Sequence, residues 1–187
     1  MPAVLILASA SPRRRDLLAQ IGVPHTVHPA DIDEARFFRE KPEIYVRRLA
    51  LEKARAVARL HPGGTILAAD TTVVLDGEVL NKPGNLDDAR RMLQALAGRT
   101  HQVHTGIAVL GPGGEQAHVE TTAVAFTAIP PAELAAYLAT GDSLDKAGAY
   151  GIQGYAARWI ARIEGDFFNV VGLPLVSVLR LLRLAGL

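Results

Sequence analysis

A chain of 187 residues, 49% hydrophobic and 21% charged, can bury one substantial core and is short for two independent domains, so a single domain over 1–187 is expected. Its formal net charge of +1 excludes the broad basic field of a nonspecific nucleic-acid binder, so any anion must be held by a local cluster. Cysteine is absent, which excludes disulfides and thiolate metal sites and makes the cytosol the default compartment.

In chain order, residues 1–8 are apolar but lack a basic flank and are followed by Pro12 and three arginines, which argues against a signal peptide or a membrane span. Residues 3–8 read as a strand, Ser11-Pro12 as a tight turn, and 13–20 as a helix with helical spacing at Leu17 and Leu18. A second strand is expected at 25–29, an acidic then mixed loop at 30–40, and a long helix at 43–60, closed by His61-Pro62-Gly63-Gly64. Residues 65–75 are rich in β-branched side chains, and Asp76-Gly77 turns them into 78–80 as a hairpin. Asn85 caps a helix with Asp87 and Asp88 in its first turn and Gly98 at its end. Strands at 100–110 and 116–129 follow, then a short helix at 131–140, an ordered Gly-rich loop at 148–154, a strand at 158–164 and a closing helix at 173–184. Hairpins and crossovers mix, which predicts an α/β or α+β domain built on a long mixed sheet.

Several residues stand out against this frame. Ser9-Ala10-Ser11-Pro12-Arg13-Arg14 sets two hydroxyls and two guanidinium groups at a strand-to-helix turn, a plausible phosphate seat that lacks the Walker and dinucleotide patterns. The bland alternative is a serine cap with a solvated basic turn. Only four of the 20 cationic residues are lysines, which points to Lys41, Lys53, Lys82 and Lys146 as places where a compact ammonium is wanted. Lys53 falls in the apolar stripe of Val46, Leu49, Val57 and Leu60 and is expected to face inward, paired or ligand-facing rather than snorkelling. Asp70 interrupts Ile66-Leu67-Ala68-Ala69 and Thr71-Thr72-Val73-Val74, a poor place for a carboxylate unless a metal or a cation meets it, with Lys53 and Lys82 as candidates. Set against this is an early strand end with Asp70 in a solvated bend.

Lys82-Pro83 follows the hairpin, and Lys146 precedes the loop in which Gln153 offers an amide suited to reading a base edge. Glu34, after Asp31 and Asp33, is a second candidate metal-site carboxylate, or part of a solvated acidic loop. His101 and His104 lie on opposite faces of one strand, which argues against a paired metal site and for structural roles. Trp159, Phe167 and Phe168 read as core or interface rather than a base-stacking shelf.

Ser9-x-Ser11-Pro12-Arg13-Arg14, Leu49-Ala50-x-x-Lys53-Ala54, Ala69-Asp70-Thr71-x-Val73, Lys82-Pro83, His101-x-Val103-x-Thr105-Gly106 and Asp145-Lys146-Ala147-Gly148-Ala149-Tyr150-Gly151-Ile152-Gln153-Gly154 together resemble the Maf family of nucleotide pyrophosphatases, in order along the chain. The resemblance implies a fold like that of inosine triphosphate pyrophosphatases, an elongated mixed sheet flanked by helices with a cleft between two lobes, and a homodimer. It also implies a divalent cation, Mg²⁺ or else Mn²⁺ or Co²⁺, with Glu34 and Asp70 as candidate ligands. By position Asp70 resembles the proton acceptor, and Ser9, Arg13, Arg14, Lys53 and Lys82 resemble the triphosphate-binding groups. Arg13, Thr71 and Gln153 resemble the pattern of the dTTP/UTP branch, and Arg13 stands where the 7-methyl-GTP branch carries an aromatic residue. Asn81, Ala97 and Ser143-Leu144 depart from the family pattern, in loops rather than in the chemistry.

Two further readings stand beside this one: a house-cleaning hydrolase of modified or deaminated nucleotides, and a non-catalytic nucleotide-binding regulator of cell division, as the family's older septum-formation label suggests. The near-neutral charge and the isolated Asp70 argue against a pure binding protein, so a nucleoside triphosphate is the expected partner, without stable nucleic-acid or membrane binding.

Overall fold

The computed structural model describes residues 5–187, so the expected start of the first strand at residue 3 and the first half of the apolar N-terminal run lie outside the described residues. The strands are β1 (Leu5–Leu7), β2 (His25–Val27), β3 (Thr65–Leu75), β4 (Glu78–Leu80), β5 (Thr100–Gly111), β6 (Gly114–Phe126) and β7 (Ile160–Glu164). The helices are α1 (Pro12–Gln20), α2 (Pro42–Ala58), α3 (Leu86–Leu96), α4 (Pro131–Ala139), α5 (Phe167–Val171) and α6 (Leu175–Leu184). One seven-stranded sheet runs β2-β1-β3-β5-β6-β7, with β4 added to β3. It is mixed: β1 pairs in parallel with both β2 and β3, joined through the α1 and α2 crossovers, whereas β4 on β3 and β7 on β6 are antiparallel. The expected mixed α/β class is therefore found. No helix among the described residues is long and apolar enough to cross a membrane.

Contacts divide the chain into two compact units. The first holds the chain up to Asp70 with Thr105–Glu120 and Gly172–Leu187. Where α2 packs, one cluster of the unit is rich in small side chains, Ala8, Ala50, Ala54, Ala68 and Ala108, around Ile6, Leu51, Val57 and Ile66, while Leu5, Leu7, Leu18, Leu49 and Leu67 are buried elsewhere in the unit. Pro42 opens α2, where its missing N–H costs nothing. Val46, Leu49 and Val57 are buried as the spacing requires, but Leu60 is 63% exposed, because α2 stops at Ala58 and Leu60 falls beyond the stripe. A Cβ on Gly106 of β5 would stand 2.3 Å from the Val46 carbonyl oxygen, so the close seating of α2 depends on that glycine.

The second unit holds Thr71–His104 and Thr121–Val171. The Asp76-Gly77 turn has φ of 51° and 83°, both in the left-handed region demanded by a two-residue hairpin of matching twist. Asn85 caps α3 by accepting the Asp88 N–H at 2.9 Å. Its core holds Met92, Leu93, Leu96, Val103, Phe126, Tyr137 and Trp159 buried together. The short helix α5 was not expected from the sequence; Asp166 caps it, accepting from the Phe168 N–H at 2.6 Å. His101 and His104 are buried and structural, as expected: His101 Nε2 lies 2.7 Å from Tyr150 Oη, and His104 Nδ1 lies 2.8 Å from Thr121 Oγ1. Burial pushes the His101 imidazole down to about 4 and the Tyr150 hydroxyl upward.

Gly106→Ala is expected to cost about 3 kcal/mol, the upper range for overpacking, because helix backbone and not a flexible side chain meets the new methyl; urea unfolding measures this. His101 gives the second expectation. Below its ordinary value of 6.5 the unfolded chain gains a proton that the folded state refuses until about 4, so stability falls as pH drops through that window. The unfolding free-energy difference between the wild type and His101→Asn should shrink by roughly 3 kcal/mol between pH 7 and pH 4. A pH-independent difference would contradict a buried neutral imidazole.

Candidate active site

Five of the singled-out positions, Ser9, Arg14, Glu34, Lys53 and Asp70, come together within the first unit. Asp70 sits on β3, an interior strand, and is 8% exposed. The alternative of a solvated bend is excluded, since β3 continues without a break to Leu75. A carboxylate there needs compensation, and Lys53 supplies it: Nζ donates to Asp70 Oδ1 at 2.7 Å. Lys53 is itself 8% exposed, so it does not snorkel past the core. Its ammonium also lies 2.8 Å from Glu34 Oε1, on the loop before α2, where the Glu34 side chain is 52% exposed. One buried cation thus gathers two carboxylates from distant parts of the chain.

The turn into α1 supplies the positive side. Ser11 occupies the cap position and Pro12 the first helical position, and the first turn of α1 holds no acidic residue. Ser9 Oγ accepts from the Ser11 N–H at 3.2 Å and from Arg14 Nη1 at 3.1 Å, while Arg14 Nε donates to the Gly172 carbonyl at 2.8 Å. Arg14 is therefore held from two directions rather than waving in solvent. Its guanidinium is pushed below its ordinary value chiefly by burial, with Asp70 and Glu34 opposing this and Arg13 adding to it. Those couplings show that Arg13, Arg14, Asp70 and Glu34 share one electrostatic field. Lys53, Arg14 and Arg13 thus set positive charge near the Asp70 and Glu34 carboxylates, a local cluster of the kind that can hold an anion.

Arg13 also belongs to the first unit, and the other expected residues lie in the second. Thr71 follows Asp70 on β3, so its side chain takes the opposite face of the strand, and it is half-buried. Lys82 and Gln153 are exposed. Lys146 is turned into its own loop, where Nζ donates to the Asp142 carbonyl and to Asp145 Oδ1, both at 2.6 Å. Its stem lies over Gly151, where a Cβ would come within 2.9 Å of the Lys146 Cδ and Cε. Asn81, unusual for the resemblance, has work to do: its Oδ1 accepts from Thr72 Oγ1 at 2.9 Å and its carbonyl accepts the Gly148 N–H at 3.3 Å.

The carboxylates of Glu34 and Asp70 fit a divalent ion of one kind. No group of three or more His, Asp or Glu side chains among the described residues could hold one. Mg²⁺ commonly takes one or two carboxylates and completes its shell with phosphate oxygens and water, and two carboxylates gathered on one ammonium suit that shared coordination. Sequence reasoning missed Glu40, Tyr45, Arg48 and the Gly172 carbonyl. Arg48 and Glu52 were readable as a helical pair one turn apart, but a loop carboxylate and a backbone oxygen leave no spacing to read.

A family profile described as Maf-like protein matches residues 4–185. The chain is 50% identical over 182 residues to a dTTP/UTP pyrophosphatase of Koribacter versatilis (strain Ellin345), covering 97% of this chain and 94% of that one. It is 53% identical over 184 residues to a dTTP/UTP pyrophosphatase of Moorella thermoacetica, covering 97% and 95%. Among solved structures, a HAM1 protein from Coxiella burnetii is similar in fold, with a TM-score of 0.50 at 17% identity, over 68% of this chain and 75% of that one.

Removing the ammonium should strand the Asp70 charge. Lys53→Met is expected to cost about 3 kcal/mol, as for a broken buried pair, and adding Asp70→Asn should recover most of it. Additive losses in urea unfolding at pH 7 would show that the carboxylate does not depend on Lys53.

Proposed function

This chain belongs to the Maf-like protein family, and from that premise we propose that it is a nucleoside triphosphate pyrophosphatase, hydrolysing dTTP and UTP to the monophosphate and pyrophosphate. The observation that carries the reading is the Lys53 ammonium, 2.7 Å from the buried Asp70 carboxylate and 2.8 Å from Glu34, in a field shared with Arg13 and Arg14. The names of the relatives support the substrate, as does Arg13 at the position that separates the family's branches.

In this reading Asp70 takes a proton from a water whose oxygen attacks the α-phosphorus, the bond to the bridging oxygen breaks, and pyrophosphate leaves. Lys53 compensates Asp70 before substrate arrives and offers its ammonium to phosphate oxygens as charge builds there. Arg14, already fixed on Ser9 and Gly172, presents guanidinium donors that need little reorganisation, which is the condition under which charge stabilisation is most effective. Ser9 and Arg13 complete the phosphate seat. Substrate-binding roles for Lys82, Lys146, Thr71 and Gln153 are part of the same reading, the Gln153 amide carrying the donors and the acceptor that reading a base edge requires. A divalent ion held by Glu34 and Asp70 with phosphate oxygens would neutralise polyphosphate charge. A cytosolic location fits the cysteine-free composition, and a homodimer is carried over from the family as part of the same reading.

The test is product analysis for dTTP, UTP, dCTP, GTP, ITP and 7-methyl-GTP, with Mg²⁺ and with EDTA. Pyrophosphate and the monophosphate are expected from dTTP and UTP, lost on chelation, and release from none of them would overturn the proposal. Asp70→Asn should lower kcat by about 10²- to 10⁴-fold, the range for a lost general base, while the thermal midpoint holds because Glu34 still accepts from Lys53. Wild-type turnover in that variant would remove Asp70 from the role of base.

A further inference from the structure

Residues 28–41, between β2 and α2, carry Glu34 but form no regular helix or strand. No ladder of their own holds the Glu34 carboxylate at Lys53. Arg48 on α2 supplies the missing restraint. Its guanidinium meets Glu40 as a fork, Nε to Oε1 at 2.7 Å and Nη2 to Oε2 at 2.8 Å, and the Glu40 side chain is only 6% exposed. Nη2 also donates to the Ala35 carbonyl at 3.0 Å, next to Glu34, and Nη1 donates to Glu52 Oε2 at 3.1 Å. Glu40 Oε2 in turn accepts the Phe37 N–H at 3.1 Å, and the guanidinium lies 3.9 Å from the centre of the Phe37 ring. From the preceding turn of α2, Tyr45 Oη donates to the Glu34 carbonyl at 2.9 Å. The strap bends at Arg39 with φ of 57°, a left-handed conformation that a non-glycine residue keeps only where its surroundings enforce it. Hydrogen bonding to Arg48 holds the Glu40 carboxyl below the usual carboxylate range, and the same bond holds the guanidinium above its own.

We propose that Arg48, locked by Glu40, is a positioning residue: it pins the 28–41 strap to α2, the helix that also carries Lys53, and so keeps the Glu34 carboxylate at the Lys53 ammonium. Its kinetic consequence rests on the pyrophosphatase reading, whereas its structural consequence does not. Neither Arg48 nor Glu40 touches the reacting atoms.

The experiment combines amide hydrogen exchange with steady-state kinetics for Arg48→Met, Glu34→Gln and the double variant, with Glu40→Gln as a gentler break should Arg48→Met fold poorly. Arg48→Met and Glu40→Gln are expected to speed exchange at the Ala35 and Phe37 amides and to leave β3 protected. Arg48→Met should lower kcat on dTTP by about tenfold in the wild-type background and by less than about twofold in Glu34→Gln, the signature of two residues acting through one carboxylate. A merely structural role would cost the same in both backgrounds, and that result overturns the proposal. Unchanged exchange in the strap overturns it as well. If the wild type releases no pyrophosphate from any nucleotide, the pyrophosphatase reading falls, and the exchange measurement alone decides whether Arg48 holds the strap.

Discussion

The charge of Asp70, placed on an interior strand, is the constraint around which the first unit is arranged. A lone carboxylate at that depth is costly, and an ammonium at 2.7 Å makes it tolerable only if the helix carrying that ammonium lies close to the sheet. The core composition meets this requirement. Ala50 and Ala54 on α2 face Ala68 and Ala108 on the strands, and Gly106 admits the helix backbone where any side chain would collide. A close seat for α2 is thus bound up with the site rather than with stability alone.

The second unit solves a different problem. Its Gly-rich loop carries Gln153, follows shortly after Lys146, and is held in shape near its start by backbone conformation and buried side chains. Gly148 has φ of 66° and lies against Val73, where a Cβ would come within 2.9 Å. Ala149 holds φ of 63° without being glycine, and Tyr137 Oη donates to its carbonyl at 3.1 Å. Tyr150 continues the anchoring through His101 and the Phe126 ring. The start of the loop is thereby restrained at three successive residues.

Charge in the first unit is organised in layers of decreasing burial. Lys53 and Asp70 are nearly enclosed, Arg14 is held by Ser9 and the Gly172 carbonyl, and Glu34 reaches in from a half-exposed strap. The deep pair has a fixed geometry because its cost when broken is high. The outer carboxylate has more freedom, and its placement is delegated to the Glu40–Arg48 fork. The result is a rigid floor beneath a rim with more freedom to move.

Much was legible in the chain itself because it is written in local chemistry. The Asp76-Gly77 hairpin and the Asn85 cap depend on a few neighbouring residues, and each is found where its spacing placed it. The inward face of Lys53 and the misfit of Asp70 were readable for the same reason, since helix and strand periods assign faces without reference to the rest of the fold. Other features were decided only in three dimensions. Leu60 left the apolar stripe because α2 ended early, and Lys146 turned back to Asp142 and Asp145 in its own loop. That Lys53 gathers Glu34 as well as Asp70, and that Gly172 and Arg48 brace the groups around it, follows from contacts between segments far apart in the chain, for which no periodicity exists. Local sequence determined which groups had to be buried, capped or turned; the meeting of distant segments determined which partner each buried charge obtained.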